Sequence, residues 1–317
     1  MMLILGFKKS RGEVSVKILV SGSSGLIGSA LLPVLKNEGH PVSVLKRHHA
    51  YPDHDQEPFI QWNPESSDLD SNNLKGIESV IHLAGENIAA RRWSPKQKAK
   101  IRDSRIKGTT LLSETLAKMD SPPHTLVAAS AIGYYGNRGS EILQEETASG
   151  TGFLPDVCRN WESAAVVASK RGIRVVYLRF GIILSPHGGA LSKMLLPFRM
   201  GVGGKIGTGQ QYMSWISLDD ALGAISHALN ERSIQGVVNV VSPNPVTNSQ
   251  FTKTLGKVLS RPTLFPVPSF AASLAFGEMA DALLLASSRV KPRQLLTTGF
   301  KFKHPELETA LKHLLGK

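Results

Sequence analysis

What this chain has little of sets the first bounds. A single cysteine, Cys158, among 317 residues excludes a disulfide framework and fits a reducing compartment. It reads as a small, partly buried side chain rather than a nucleophile. No apolar run approaches the roughly 18 uncharged residues that cross a bilayer, so no membrane partner is expected. The opening MMLILGFKKSRGEV sets its charges after a very short apolar stretch, the reverse of a secretory signal, and residues 1–15 read as an N-terminal extension. Cytoplasm is the expected location. No His, Cys, Asp or Glu group has metal-ligand spacing, so no metal is expected. Internal repeats and low-complexity linkers are also missing.

Positive charge, by contrast, is plentiful: the formal net charge is +12. Clustered cations raise the question of nucleic acid. The densest segment, RRWSPKQKAKIRDSRIKG (Arg91–Gly108), carries eight Lys/Arg against Asp103 alone. It lacks regular aromatic interleaving and any zinc or helix-turn-helix signature, so nucleic acid is not the expected partner. A basic segment beside a cleft suits an anionic small molecule, and about half of these charges read as a solvated helix face.

The strongest local pattern is VKILVSGSSGLIGSALLPVLKNEGH, Val16–His40. A short apolar strand runs into Gly22, Gly25 and Gly28, and an apolar-periodic helix follows until Gly39. Gly22 supplies the unusual backbone angles of a tight turn, Gly25 lets N–H groups approach a pyrophosphate, and Gly28 permits close packing of the helix. The helix N-terminus then faces the phosphates. Strand, glycine turn and helix together predict dinucleotide binding. The second strand, PVSVLKRHH, ends on Lys46 and Arg47 where an acidic residue would hold a free ribose 2′-hydroxyl. A cationic pair there predicts a 2′-phosphate and hence NADP(H).

Further apolar runs, SVIHLAG, HTLVAASAIG, IRVVYLRFGIIL and QGVVNVVS, alternate with helical stretches. Continuous apolar strands separated by helices predict a parallel sheet covered on both faces, a doubly wound Rossmann-type α/β fold. His82 within SVIHLAG reads as a satisfied core histidine. The dinucleotide domain is expected over residues 16–185, with 215–245 returning to it. Residues 186–317 then form mainly a smaller, substrate-side C-terminal helical domain. The glycine-rich Pro186–Tyr212 segment is of the kind that covers a cleft.

The motifs GSSGLIG, HLAGENI, SRIKGT, SAIGYYG, the block LRFGIILSPHGGALSKMLLPFRMGVGGKIGTGQQYMSWI and the tail from Phe276 onward resemble the atypical short-chain dehydrogenase/reductase family. Within it they are most similar to epimerase-family proteins labelled nucleoside-diphosphate-sugar epimerases, which end in a small helical domain. The resemblance covers nearly the whole chain from Val16. It implies cofactor contacts at Gly22, Ser23, Ser24, Gly25, Leu26, Ile27 and Gly28, at Lys46 and Arg47, and at Leu83, Ala84 and Gly85. It also implies Arg105, at the place of a tetrad asparagine, reaching toward cofactor phosphate. Gly181, Ile182 and Ile183 match the segment that borders the nicotinamide.

Typical members place a tyrosine and a lysine four apart on one helix, where the ammonium lowers the phenol's pKa. Here the residues four after each tyrosine are Asp55, Arg138, Gly139, Gly181 and Ile216, and none is lysine. The helix expected to carry the dyad, LPDVCRNWESAAVVASK, has its slot at Asp156–Glu162, without tyrosine or lysine. SAIGYYG leaves Ser130, Tyr134 and Tyr135, of which Tyr134 and Ser130 are the catalytic candidates. Two readings stay open. One is an NADP(H)-dependent oxidoreductase or epimerase on an anionic small molecule such as a nucleotide sugar. The other is a non-catalytic NADP(H)-binding protein that reports redox state to a partner. Monomer and homodimer are both compatible with the sequence.

Overall fold

The computed structural model describes residues 15–47 and 57–317. The N-terminal extension up to Val14, and the tail of the second strand from His48, lie outside these.

Seven strands form one sheet: β1 (Ile18–Ser21), β2 (Val42–Lys46), β3 (Phe59–Gln61), β4 (Ser79–His82), β5 (Thr125–Ala131), β6 (Arg174–Phe180) and β7 (Gly236–Val240). Their spatial order is β7-β6-β5-β4-β1-β2-β3. Every pair is parallel, so each connection must cross over the sheet. The strands are apolar throughout because both faces are covered. In β1, Ile18 and Val20 face one core, which contains Leu31 and Leu35 of helix α1 (Leu26–Asn37). Leu19 faces the other, with Leu112 and Leu116 of α2 (Pro95–Lys118). The period of two along a strand thus feeds two helical layers, which makes the fold the doubly wound parallel type. The strand order reverses between β1 and β4, and in open α/β sheets the crevice for a ligand lies at such a switch point, outside the strands' carboxyl ends.

The run IRVVYLRFGIIL does not form one strand. It breaks at Gly181 into β6 and a separate strand, Ile182–Ser185, which pairs with Trp215–Ser217 outside the main sheet. A side chain at Gly181 would meet the Ser214 carbonyl at 2.5 Å and Val241 at 2.7 Å, so only glycine lets the chain change sheets here. Behind this strand lies a smaller core, where Leu191, Leu195 and Phe198 of α4 (Gly189–Arg199) meet Trp215. It also takes in Phe251 of α6 (Asn248–Leu259) and Leu311 of α7 (Leu307–Leu315). Helix α5 (Leu218–Asn230) packs on the large core instead, through Ala221, Ala224 and Ile225.

Arg174, at the start of β6, fastens α5 to the sheet. Its guanidinium donates to the carbonyls of Ala228, Leu229, Glu231 and Ile234 at 2.7–3.2 Å, around the C-terminus of that helix. These carbonyls have no helical partners of their own, and a cation there also complements the helix dipole. Replacing Arg174 by Ala is therefore expected to lower stability by about 2 kcal/mol, measured as a reduced urea midpoint with an unchanged slope.

Candidate functional site

At the switch point the three glycines of GSSGLIG divide their roles. Gly22 has φ +73°, and a Cβ on it would lie within 2.8 Å of the Leu83 and Ala84 backbone. Gly28 is closed as well, because its Cβ would meet the Gly22 carbonyl at 2.2 Å and the Ser23 Cα at 2.7 Å. The helix therefore packs on the turn itself. Gly25 differs from both. Its φ and ψ of −78° and 172° are open to any residue, and a Cβ there would meet only the Gly22 carbonyl, at 3.3 Å. It is also exposed, as is Ser24, while Ser23, Leu26 and Ile27 are half-buried. No side chain caps α1, so the first N–H groups of the helix face outward, where an anion is favoured. Against Leu26 pack Gly188 and Gly189 of the turn after strand Ile182–Ser185, which roofs this end of the crevice.

Lys46 ends β2, its ammonium 5.6 Å from the Phe59 ring centroid, and Arg47 beside it is exposed. Leu83 and Ala84 follow β4 and pack against the two cores, while Gly85 is exposed. Arg105 on α2 is anchored through one of its guanidinium nitrogens. Its Nη1 donates to the carbonyls of Glu86 (2.9 Å) and Ile101 (3.0 Å), and its guanidinium lies over Trp161 and against Gly85. It braces the loop after β4 from within, and burial lowers its pKa. Of the segment expected along the nicotinamide, Gly181 is required by packing, Ile182 joins the smaller core and Ile183 the large one.

Ser130 is not free to act on a substrate. It is 3% exposed, and its hydroxyl donates to Glu162 Oε1 at 2.6 Å. Glu162 in turn holds Arg179 of β6 in a two-pronged pair, with Nε to Oε1 and Nη2 to Oε2 both at 2.8 Å. The side chains are 3% and 13% exposed for Arg179 and Glu162. Tyr135 is fully buried and joins the same cluster: its single hydroxyl proton is shared between Gln144 O (2.9 Å) and Asn239 Oδ1 (2.8 Å), and its oxygen accepts from Arg179 Nη1 at 2.9 Å. Burial pushes its pKa up to about 12, so it serves as a structural phenol. Tyr134 is half-buried with the Arg179 guanidinium 3.4 Å from its ring centroid. Among the described residues its hydroxyl has no hydrogen-bond partner. Arg138, four residues on, lies beyond the short 3-10 turn Ile132–Tyr135 and pairs with Glu141 instead.

On α3 (Phe153–Ser163) the face toward this turn carries Leu154 and Cys158, four apart and both against Gly133. The slot expected at Asp156–Glu162 is thus displaced toward the N-terminus and apolar. The Cys158 thiol is buried, points at the Ala131 carbonyl, and has its pKa raised to about 12 by desolvation, so it is inert. The Arg179–Glu162 pair was missed from the sequence. Its signal was an arginine inside the apolar run VVYLRFG, because a charge buried in a central strand requires a partner.

His82 is a satisfied core histidine. Its ring nitrogens meet the hydroxyls of Ser21 (2.6 Å) and Thr109 (2.9 Å), and Thr109 also accepts from Trp161 Nε1. This chain of hydrogen bonds ties β1, β4, α2 and α3 together beneath the crevice. On the far side, Lys98 pairs with Glu278 and lies over Phe153, which packs edge-on to Trp93. With Arg102 they line a cavity of ≈ 350 Å³. Lys193 of α4 donates to the Ala89 carbonyl, closing the loop after β4 against the smaller lobe.

A glycine turn at the switch point of a doubly wound sheet, with an open helix N-terminus above it, defines a Rossmann-type dinucleotide fold. Residues 18–240 match the NAD dependent epimerase/dehydratase family, to which the chain belongs. Residues 267–314 match a domain of unknown function, DUF1731. The chain is 44% identical over 294 residues to the epimerase family protein Mb2239 of Mycobacterium bovis, covering 93% of this chain and 96% of that one. It is 38% identical to the epimerase family protein YfhF of Bacillus subtilis, covering 95% and 98%. The crystal structure of the human epimerase family protein SDR39U1 (isoform 2) with NADPH superposes with a TM-score of 0.85 at 32% identity, covering 95% and 100%.

Burial lowers the His82 pKa from 6.5 to about 4. Between those values the unfolded chain binds a proton that the folded one does not. The neutral ring's contribution is thus fully present above about pH 6.5 and is lost as pH falls toward 4, by roughly 3 kcal/mol. Urea midpoints between pH 7 and pH 4.5 are expected to fall less steeply in His82→Gln than in the parent chain.

Proposed function

We propose that the chain binds NADP(H) along the crevice and uses it in a redox step on an anionic small molecule of the nucleotide-sugar kind. The observation that carries the cofactor assignment is Gly25, exposed, with backbone angles any residue adopts, where a Cβ would press on the Gly22 carbonyl alone, at 3.3 Å. Its missing side chain leaves room for a pyrophosphate at the uncapped start of α1. Lys46 and Arg47 at the end of β2 fit a ribose 2′-phosphate, and the human relative solved with NADPH supports the same choice. When bound, NADP(H) supplies hydride chemistry at its nicotinamide ring.

The protein's own part in that chemistry falls to Tyr134. Ser130 and Tyr135 spend their hydroxyls on the Arg179–Glu162 cluster, whereas Tyr134 keeps its phenol for a substrate oxygen. Its ring is held in place by the Arg179 guanidinium. One observation favours the second, non-catalytic reading. The α3 positions facing the turn are Leu154 and Cys158, so no lysine is there to tune a phenol or relay its proton.

Binding tests the cofactor site, and turnover separates the two readings. Gly25→Val is expected to abolish binding of NADPH and NADH alike, and Arg47→Ala to weaken NADPH about tenfold or more while sparing NADH. Equal losses from Arg47→Ala would remove it as the 2′-phosphate reader. NADPH consumption across nucleotide sugars, ketones and aldehydes is expected to reveal turnover that Tyr134→Phe lowers about 100-fold. Tight binding with no turnover on any of them would establish the non-catalytic reading.

A further inference from the structure

Away from the crevice, three donor side chains from separate parts of the sequence converge. Asp219 stands in the first turn of α5, His304 precedes the C-terminal helix, and His313 lies on α7. One Asp219 carboxylate oxygen is 2.7 Å from His313 Nε2 and 4.0 Å from His304 Nε2. All three donor atoms lie within 4.8 Å of one another. The two imidazoles are stacked, with centroids 4.3 Å apart and planes 21° from parallel. We propose that Asp219, His304 and His313 form a binding site for a transition-metal ion of the Zn²⁺ class.

The donor set decides the class of ion. Two imidazole nitrogens and one carboxylate oxygen suit Zn²⁺ and its neighbours, whereas Mg²⁺ and Ca²⁺ demand oxygen ligands. Tetrahedral ligation at about 2.0–2.1 Å spaces ligand atoms roughly 3.3 Å apart, a value bracketed by the spacings already present, so small side-chain rotations suffice. The exposed side leaves the fourth position to water. The backbone behind these ligands is fixed. Buried Asp220, next to Asp219, accepts the N–H groups of Lys303 (2.6 Å) and His304 (3.0 Å) and is itself held by the Ser217 hydroxyl. Leu307, Ala310 and Leu311 bury the inner face of α7, which fixes where His313 emerges. Such a metal ion clips the C-terminal helix to the start of α5. The sequence disclosed none of this, since Asp219 lies far from both histidines along the chain and the spacing of the histidines matches no ligand motif.

The test uses the full chain after chelator treatment and desalting, titrated with Zn²⁺ and, separately, Mg²⁺. One Zn²⁺ per chain is expected to bind and raise the melting temperature, with no effect of Mg²⁺. Single changes His304→Ala, His313→Ala and Asp219→Asn are each expected to weaken Zn²⁺ about tenfold or more while the metal-free histidine variants melt near the parent. Co²⁺ provides a second readout, a visible absorption band present in the parent and lost in His304→Ala. Zn²⁺ titrations indistinguishable between the parent and the His304→Ala/His313→Ala double variant would overturn the site. So would stabilisation by Mg²⁺ equal to that by Zn²⁺.

Discussion

The buried pair of Arg179 and Glu162 is the interaction around which the substrate side of the crevice is arranged. Two charges withdrawn from water lose several kcal/mol of hydration each, which only close pairing and further hydrogen bonds offset. The protein provides both. The two-pronged contact satisfies Glu162, whose Oε1 also accepts from Ser130, and the remaining guanidinium nitrogen reaches Tyr135. Losing one partner would strand the other charge at a cost of about 3–5 kcal/mol. Because the pair spans β6 and α3, it fixes the helix against the sheet. Because Tyr134 lies on the guanidinium, it also fixes a phenol whose hydroxyl stays unspent among the described residues. Stability and orientation are thus met by the same ion pair, and two hydroxyls near the crevice are consumed in meeting them.

The cofactor side works by exclusion of side chains instead. Gly22 and Gly28 are closed by neighbouring backbone, so they build the turn, while Gly25 keeps space open outside it. Beneath the turn, the chain from Ser21 through His82 and Thr109 to Trp161 satisfies buried polar groups without any charge, because burial keeps the imidazole neutral. A rigid, neutral base therefore supports an N-terminus whose partial positive charge is left unspent. That asymmetry is what an anionic ligand requires.

Several features of the site were legible in the residues. The glycine spacing flanked by a strand and a helix located the crevice, and the missing tyrosine–lysine dyad was countable. Three features were not legible, for physical reasons. Ser130 looked like a reactive hydroxyl, but a side chain's availability depends on its tertiary neighbours, here Glu162 from a helix 32 residues away. Arg105 looked like a phosphate ligand because its place in the motif is known, yet carbonyls of Glu86 and Ile101 take up its Nη1. Along the apolar run IRVVYLRFGIIL, hydrophobicity does not report a change of sheet. Only the Ser214 carbonyl and Val241 against Gly181 show why the chain must turn there.

By itself the sequence determined the doubly wound fold, the glycine turn between β1 and α1 and the cationic end of β2. Those follow from periodicity and from residue types whose backbone or charge properties are local. The tertiary structure alone decided which hydroxyls remain free, which α3 residues face the turn, and that Asp219 meets His304 and His313. Those depend on contacts between residues distant in the chain, and such contacts are fixed by packing across elements rather than by any pattern along one.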